Sequence, residues 1–234
     1  MIVYGKNTWQ ALQSRPEIIK KIYVLSSLKD KELLNQLKKC SCPVSLCDRN
    51  QLDQLAKDSH HQGIVFDIKD IPNVDIQHLT KHAQIVVSLD GIQDPHNVGA
   101  ILRTCECTGV DGLILTKHRS AGLSPSAIKT SAGAAFHVPV STVNNLSQTI
   151  QQLKQEGFWV IGTDMENARD YREGIYDTKL CIVIGSEGKG ISPLVKKHCD
   201  YMVSIPMVGK TSSLNASVAC GVLLYQIYQA RNPL

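Results

Sequence analysis

From residue 84 onward the chain alternates short apolar runs with amphipathic segments. Apolar runs of the kind that form strands buried on both faces lie at 85–89, 112–115, 158–162, 180–184 and 202–205. Segments with helical periodicity separate or follow them, at 98–108, 146–156, 192–198 and 214–229. Continuous apolar strands that alternate with helices predict an α/β fold with a mostly parallel sheet covered on both faces.

The first 68 residues carry a similar alternation on a smaller scale. Helices are expected at 8–13 and 29–37, and strands at 22–25, 44–46 and 64–66. Residues 70–75 contain turn and breaker residues and no apolar periodicity. The pattern therefore predicts a small α/β domain over residues 1–70, a linker over 71–83, and a larger domain over 84–234.

The composition is that of an ordinary globular protein, with 20% charged and 43% hydrophobic residues. No apolar run has the length of a membrane span, and no signal-peptide pattern is present, so we expect a cytoplasmic protein with no membrane partner. The eight cysteines include no Cys-x-x-Cys pair, and the adjacent His60 and His61 have no second ligand pair at matching spacing. We therefore expect no metal site.

The net charge of +4 is distributed unevenly. Residues 1–72 carry 11 Lys and Arg against 8 Asp and Glu. The rest of the chain carries 14 Lys and Arg against 13 Asp and Glu. A basic excess on one domain is compatible with a polyanionic partner such as RNA. A normally solvated surface accounts for it equally well.

Three segments place glycine, proline, asparagine or serine at the end of an apolar run, at 89–104, 182–190 and 205–219. Such junctions expose backbone N–H and C=O groups to a ligand. In the first segment, Asn97 is the expected N-cap of a helix that contains Arg103. Arg103 has two readings from position alone, either a functional cation or a surface residue that reaches solvent or pairs with Glu106.

The second segment, at 185–190, has the spacing Gly-x-x-Gly-x-Gly. This differs from the spacing of dinucleotide and phosphate loops, and Glu187 would repel a phosphate that approached the turn. A carboxylate there suits a cationic ligand, such as the sulfonium and amino groups of S-adenosylmethionine. A nucleotide-binding enzyme that uses this turn as a phosphate loop is the alternative.

The third segment ends a strand at Ile205 and continues through a polar loop into a helix expected to begin near Leu214. Ser212 or Ser213 is the expected cap of that helix. A core helix with a polar cap explains every residue except Asn215, whose presence in the first turn is compatible with a site without requiring one.

Taken together, in order and in nearly every marked position, the three segments resemble the motifs of the SpoU (TrmH) family of RNA 2′-O-ribose methyltransferases. The resemblance covers about residues 85–230. Tyr4-Gly5 and His61-Gln-Gly63 extend it to the small substrate-binding domain of the RlmB subgroup, the 23S rRNA guanosine-2′-O-methyltransferases. Asn7 stands where that family often has histidine.

The resemblance implies a SPOUT-type parallel-sheet methyltransferase domain with a C-terminal trefoil knot, preceded by a small α/β substrate-binding domain. It implies a homodimer through the C-terminal domain and S-adenosylmethionine as the cofactor. The cofactor contacts that it implies are Gly185, Ile205, Met207 and Leu214. The catalytic set that it implies is Asn97, Arg103, Glu187, Ser213 and Asn215.

The implied reaction transfers a methyl group from the sulfonium to a ribose 2′-oxygen of large-subunit rRNA, with guanosine as the favoured nucleotide. A tRNA 2′-O-methyltransferase and a non-catalytic RNA-binding protein of the same fold are the alternatives. The family's proposed base corresponds to Arg103, but a guanidinium is a very weak acid and stays charged in proteins. Arg103 could instead stabilise the developing alkoxide.

Overall fold

The computed structural model describes residues 1–165 and 168–233. The chain divides into two compact units, the first spanning Met1–Ile71 and the second extending from Pro72 to the C-terminus. No helix in the described ranges is long and apolar enough to cross a bilayer.

Residues 1–71, all of which the structure describes, form a four-stranded sheet with three helices. The strands are β1 (Ile2–Tyr4), β2 (Ile19–Leu25), β3 (Val44–Cys47) and β4 (Ile64–Ile68), in the order β1-β4-β2-β3. β4 is antiparallel to both of its neighbours, and β3 is parallel to β2. The helices are α1 (Lys6–Leu12), α2 (Lys31–Lys39) and α3 (Arg49–Ala56). The prediction of a small α/β unit is confirmed.

Helix α3 and strand β1 were not predicted. β1 is only three residues long, too short for an alternation to be recognised. α3 is predominantly polar, so its periodicity is weak, but its start carries a capping box between Asp48 and Gln51. The spacing of this pair is itself a sequence signal for a helix N-terminus.

The second unit is built on a wholly parallel sheet, with seven strands in the described residues. They are β5 (Ile85–Asp90), β6 (Gly112–Thr116), β7 (Val140–Val143), β8 (Trp159–Thr163), β9 (Arg169–Asp170), β10 (Leu180–Gly185) and β11 (Tyr201–Ser204). Their order is β7-β6-β5-β10-β8-β11-β9. All five apolar runs are strands, and the predicted parallel sheet is confirmed.

The helices of this unit are α4 (Ile76–His82), α5 (Pro95–Cys107), α6 (Pro125–Thr130), α7 (Leu146–Gln155), α8 (Pro193–Lys196) and α9 (Ala216–Arg231). α4 lies inside the segment 71–83, which was expected to be a linker. Its Leu79 is only 2% exposed and belongs to the core cluster that also contains Val86 and Ile114. Residues 76–82 are therefore part of the second unit's core packing and do not merely connect two domains.

Strand order brings the three glycine-, asparagine- and serine-rich segments to one edge of this sheet. β10 lies between β5 and β8, and Gly185 at the end of β10 is in register with Asp90 at the end of β5. Because all strands are parallel, the loops that follow β5, β6, β10 and β11 leave the sheet at the same, carboxyl-terminal edge. The order is consistent with a knotted domain, and the knot itself stays a prediction.

Close packing between helices holds the start of α5 beside this edge. α5 contacts both α6 and α9. A Cβ atom built on Gly99 of α5 would lie 2.4 Å from the carbonyl oxygen of Ala127 in α6, so only glycine allows this approach. On the other side, Gly221 of α9 faces Thr104 of α5.

Candidate active site

The loop after β5 passes directly into α5, and its acidic residues fix both ends of that connection. Asp90 accepts a hydrogen bond at Oδ2 from the backbone N–H of Ser192, at 2.7 Å, which ties this loop to the segment after β10. Asp94 caps α5 by accepting from the backbone N–H of His96 at 2.8 Å. The expectation that Asn97 caps this helix was wrong, because Pro95, pre-organised for the first helical position, starts the helix earlier.

The loop after β10 folds back on itself. Ser186 and Gly190 exchange two backbone hydrogen bonds, of 3.1 and 2.9 Å. A Cβ atom on Gly185 would lie 2.2 Å from the carbonyl carbon of Gly190, so the turn itself requires glycine at this position. The N–H groups of Ser186 and Gly190 are thus used inside the turn, which argues against a phosphate loop.

Side chains from three distant segments meet at this edge in what we call the amide–carboxylate cluster: Asn97, Glu187 and Asn215. Asn97 donates through Nδ2 to Oε1 of Glu187 at 3.0 Å. Asn215 donates through Nδ2 to the same Oε1 at 2.6 Å and to Oδ1 of Asn97 at 2.9 Å. One carboxylate oxygen thus accepts from both amides, and no described residue donates a hydrogen bond to the other oxygen.

The orientation of the Asn215 amide is set by its second role as the N-cap of α9. Its Oδ1 accepts from the backbone N–H of Ser217 at 2.9 Å, from the Ser217 hydroxyl at 2.6 Å and from the backbone N–H of Val218 at 3.3 Å. With the oxygen committed to the helix, the NH₂ group must face the cluster. The expectation that Ser212 or Ser213 caps a helix starting near Leu214 was wrong, since the helix begins at Ala216.

A cleft of about 300 Å³ opens beside the cluster, within the size range of small-ligand sites. Its walls come from the loops after β5 and β10: Gly91, Ile92, Gln93, Asp94, Asn97, Ser186, Glu187 and Lys189. Two of the three cluster residues, Asn97 and Glu187, line it. The cleft is therefore the place where a ligand would meet these side chains.

Two members of the expected catalytic set lie outside the cluster. Arg103 is exposed on α5, six residues after Asn97, or about 9 Å along the helix axis. Its side chain makes no ion pair or hydrogen bond with any described residue, and thus none with Glu106. Ser213 is exposed in the loop before α9 and likewise has no partner in the described part of the chain.

The residues expected to contact the cofactor lie on the loops after β10 and β11. Gly185 is buried at the end of its strand, whereas Ile205, Met207 and Leu214 are half-buried. None of the four lines the cleft. No backbone hydrogen bond joins residues 206–214 to any described residue, so the N–H and C=O groups of this loop are available to a ligand.

Sequence reasoning missed Asp90 and Ser217, both of which position the cluster. Asp90 is the polar last residue of a buried strand, which is a recognisable signal at the carboxyl edge of a parallel sheet. Ser217 follows Asn215 by two residues, the spacing at which an N-cap side chain meets the first free N–H groups.

Both units match known families. Residues 84–225 match the profile described as the SpoU rRNA Methylase family, and residues 2–74 match RNA 2′-O ribose methyltransferase substrate binding. A Staphylococcus haemolyticus protein assigned to the TrmH family of tRNA/rRNA methyltransferases is 39% identical, over 99% of this chain and 96% of its own. Bacillus subtilis YacO, with the same assignment, is 37% identical, and the match again covers 99% of this chain and 96% of the relative.

Solved structures share the fold. The SpoU methyltransferase AviRb from Streptomyces viridochromogenes, in complex with the cofactor AdoMet, superposes with a TM-score of 0.85 at 23% identity, over 99% of this chain and 90% of that chain. A crystal structure of an RNA 2′-O ribose methyltransferase gives a TM-score of 0.79 at 21% identity, and the match covers 100% of this chain and 89% of that chain. The α/β fold expected from the sequence is therefore the fold of these methyltransferases.

Asn215 both caps α9 and bridges Asn97 to Glu187, and two different substitutions should separate these functions. Asn215→Ala should lower the free energy of unfolding by about 1 kcal/mol, the usual value of an N-cap. Asn215→Ser keeps a capping oxygen and should recover most of that loss, although it is too short to bridge Asn97 and Glu187. Urea unfolding of the three proteins measures this, and a serine variant as unstable as the alanine variant would contradict it.

Proposed function

The chain belongs to the SpoU family of RNA methyltransferases, and we propose that it methylates the ribose 2′-oxygen of a guanosine in 23S rRNA. The observation that carries the proposal is the amide–carboxylate cluster, which joins one residue from each family segment beside a cleft. The match of residues 2–74 to a ribose methyltransferase substrate-binding domain supports RNA as the substrate. The RlmB subgroup is the proposed assignment within the family.

S-adenosylmethionine is the proposed cofactor, held by Gly185, Ile205, Met207 and Leu214. The residues present fit such a group. The loop 206–214 offers unused backbone donors and acceptors, with apolar side chains half-buried along it. Glu187, on the neighbouring loop, supplies a carboxylate that favours a cation. When bound, the cofactor supplies an electrophilic methyl group.

The protein's contribution to the reaction is to align the acceptor and to stabilise charge. Asn97, Glu187 and Asn215 form a fixed polar surface against which a ribose hydroxyl can be oriented, since their hydrogen bonds hold the side chains before substrate arrives. Arg103 carries a permanent positive charge, unpaired within the described residues, and is proposed to stabilise the negative charge that develops on the 2′-oxygen as its proton passes to an RNA phosphate or to water. Ser213 is proposed to complete the site from the loop before α9.

The main alternative is a tRNA acceptor, since the relatives are described as acting on tRNA or rRNA. A non-catalytic RNA-binding protein is disfavoured, because binding alone would not need all three cluster residues in contact.

The deciding experiment incubates the protein with methyl-labelled S-adenosylmethionine and chelator, and with unmodified rRNA or tRNA separately. We expect label in 23S rRNA at a bond that resists alkaline hydrolysis. Label in tRNA alone would refute the substrate assignment, and no label in either RNA would refute the activity.

Arg103 should be required for chemistry rather than for folding or cofactor binding. Arg103→Ala leaves no core cavity because the side chain is exposed, so its unfolding midpoint should match that of the wild type. Its single-turnover methylation rate should fall by a factor of about 10²–10³, the usual effect of removing one group that stabilises transition-state charge. Arg103→Lys should also be slow, because a point charge does not reproduce a planar guanidinium. A near-wild-type rate for the alanine variant would refute the role.

We also propose a homodimer formed through the C-terminal domain. Helix α9 exposes an apolar face at helical spacing, with Val218, Tyr225 and Tyr228 exposed by 50, 55 and 47%. Exposed apolar groups on one face are typical of a protein–protein contact.

Light scattering at micromolar concentration should therefore give a dimer for the full chain and a monomer for the Tyr225→Asp/Tyr228→Asp variant. The control Leu194→Asp alters an equally exposed apolar residue on α8 and should remain a dimer. A monomeric wild type would refute the dimer, and a dimeric Tyr225/Tyr228 variant would refute the placement of its interface.

A further inference from the structure

A basic loop follows β6 at the same sheet edge as the amide–carboxylate cluster. Its residues are Lys117, His118 and Arg119, which come directly after the last residue of the strand and are all exposed. β5 pairs in parallel with β6 on one side and with β10 on the other. The basic loop therefore leaves the sheet beside the two loops that form the cleft.

The basic loop is packed against the wall of the cleft. The backbone N–H of Ala121 donates to the carbonyl oxygen of Ile92 at 3.0 Å. A Cβ atom on Gly91 would lie 3.9 Å from the carbonyl oxygen of Arg119. Since Gly91 and Ile92 both line the cleft, its rim on this side is the basic loop.

Hydrogen bonds hold the backbone of the basic loop. The backbone N–H of Lys117 donates to the carbonyl oxygen of Val143 at 2.8 Å. The hydroxyl of Thr116 donates to the carbonyl oxygen of His118 at 3.0 Å. Arg119 has a φ of 57°, in the left-handed region that non-glycine residues rarely adopt unless the surroundings enforce it. A ligand that binds here would pay little for ordering the loop.

No described side chain pairs with the cations at this rim. Neither Lys117 nor Arg119 forms an ion pair or a side-chain hydrogen bond with any described residue. The same holds for Lys189, which lines the cleft from the loop after β10. Lys154, on the surface of the same unit, is by contrast paired with Asp200 at 2.6 Å. Unpaired cations held at the rim of a cleft are the arrangement that binds nucleic-acid phosphates.

We infer that Lys117 and Arg119, together with Lys189, bind the phosphates that flank the acceptor nucleotide and thereby place its ribose against the amide–carboxylate cluster. The inference rests on the proposed RNA methylation and adds the surface that positions the RNA strand on the methyltransferase domain. Phosphate contacts fix register and orientation without reading sequence, so the basic loop would act on any RNA that the rest of the protein selects.

The test compares Lys117→Ala/Arg119→Ala with the matched control Lys81→Ala/Lys197→Ala. Both variants remove two positive charges from exposed residues without an ion-pair partner in the described chain. Lys81 precedes β5 and Lys197 precedes β11, so the control alters the amino-terminal edge of the same sheet. Affinity for an rRNA fragment, its dependence on salt concentration, and single-turnover methylation are measured for both variants and for wild type.

The basic-loop variant should bind RNA about tenfold more weakly near 0.1 M salt. The slope of log affinity against log salt should fall by about 1.4, or about 0.7 for each single-strand phosphate that the variant no longer neutralises. Its methylation rate at subsaturating RNA should fall by a factor similar to the loss of affinity, because a weaker complex places fewer acceptor riboses against the amide–carboxylate cluster. The charge-preserving variant Lys117→Arg/Arg119→Lys should restore affinity.

Two results separate the inference from the proposed function. A basic-loop variant whose affinity and salt slope match those of the control would overturn the inference alone, provided that wild type methylates RNA. A wild type that transfers no methyl group to rRNA or tRNA would overturn the proposed function and, with it, the role given to the basic loop. Equal unfolding midpoints for all variants exclude a loss of folding as the cause.

Discussion

Parallel pairing of β5 with β10 is the constraint on which the site depends. It sets Gly185 in register with Asp90 and so brings the loops after the two strands to the same edge, although they are about ninety residues apart in sequence. The hydrogen bonds between Asn97, Glu187 and Asn215 then join those loops to the start of α9. These bonds lie near solvent, where each contributes about 1 kcal/mol net, so the buried sheet provides the stability and the cluster provides the geometry.

Stability and geometry are linked most directly at Asn215. A helix of sixteen residues needs its first N–H groups satisfied, and the Asn215 oxygen meets that need by accepting from the backbone N–H groups of Ser217 and Val218. The requirement leaves the amide one orientation, with its NH₂ group toward Glu187. Folding of α9 therefore orients a side chain of the candidate site before any ligand binds, and such preorganisation costs no reorganisation during a reaction.

Five strands of the second unit were predictable because each contains an apolar run, and β10 is buried throughout its length. The other two, β7 and β9, were not predicted because they are short and carry polar residues. The helix caps were not, since Pro95 moves the start of α5 ahead of Asn97 and the polar loop before α9 offers several candidate caps. Neither the strand order nor the contact between Asn97 and Glu187 could be derived from local patterns, which hold no information on pairing across such distances. The resemblance named both residues as functional but did not say that they touch.

The charges at the carboxyl edge differ between the walls of the cleft and its rim. Two carboxylates, Glu187 and Asp94, and one cation, Lys189, line the walls, whereas Lys117 and Arg119 lie on the loop that borders the cleft. A phosphate is repelled by the inner carboxylates and attracted by the outer cations, whereas a neutral ribose hydroxyl or a cationic ligand can enter. An RNA strand would therefore be held with its backbone along the rim and a sugar directed inward, which is the orientation that a 2′-oxygen needs to approach the cluster. On this proposal, the sheet edge would select by charge which part of a nucleotide reaches the amide–carboxylate cluster.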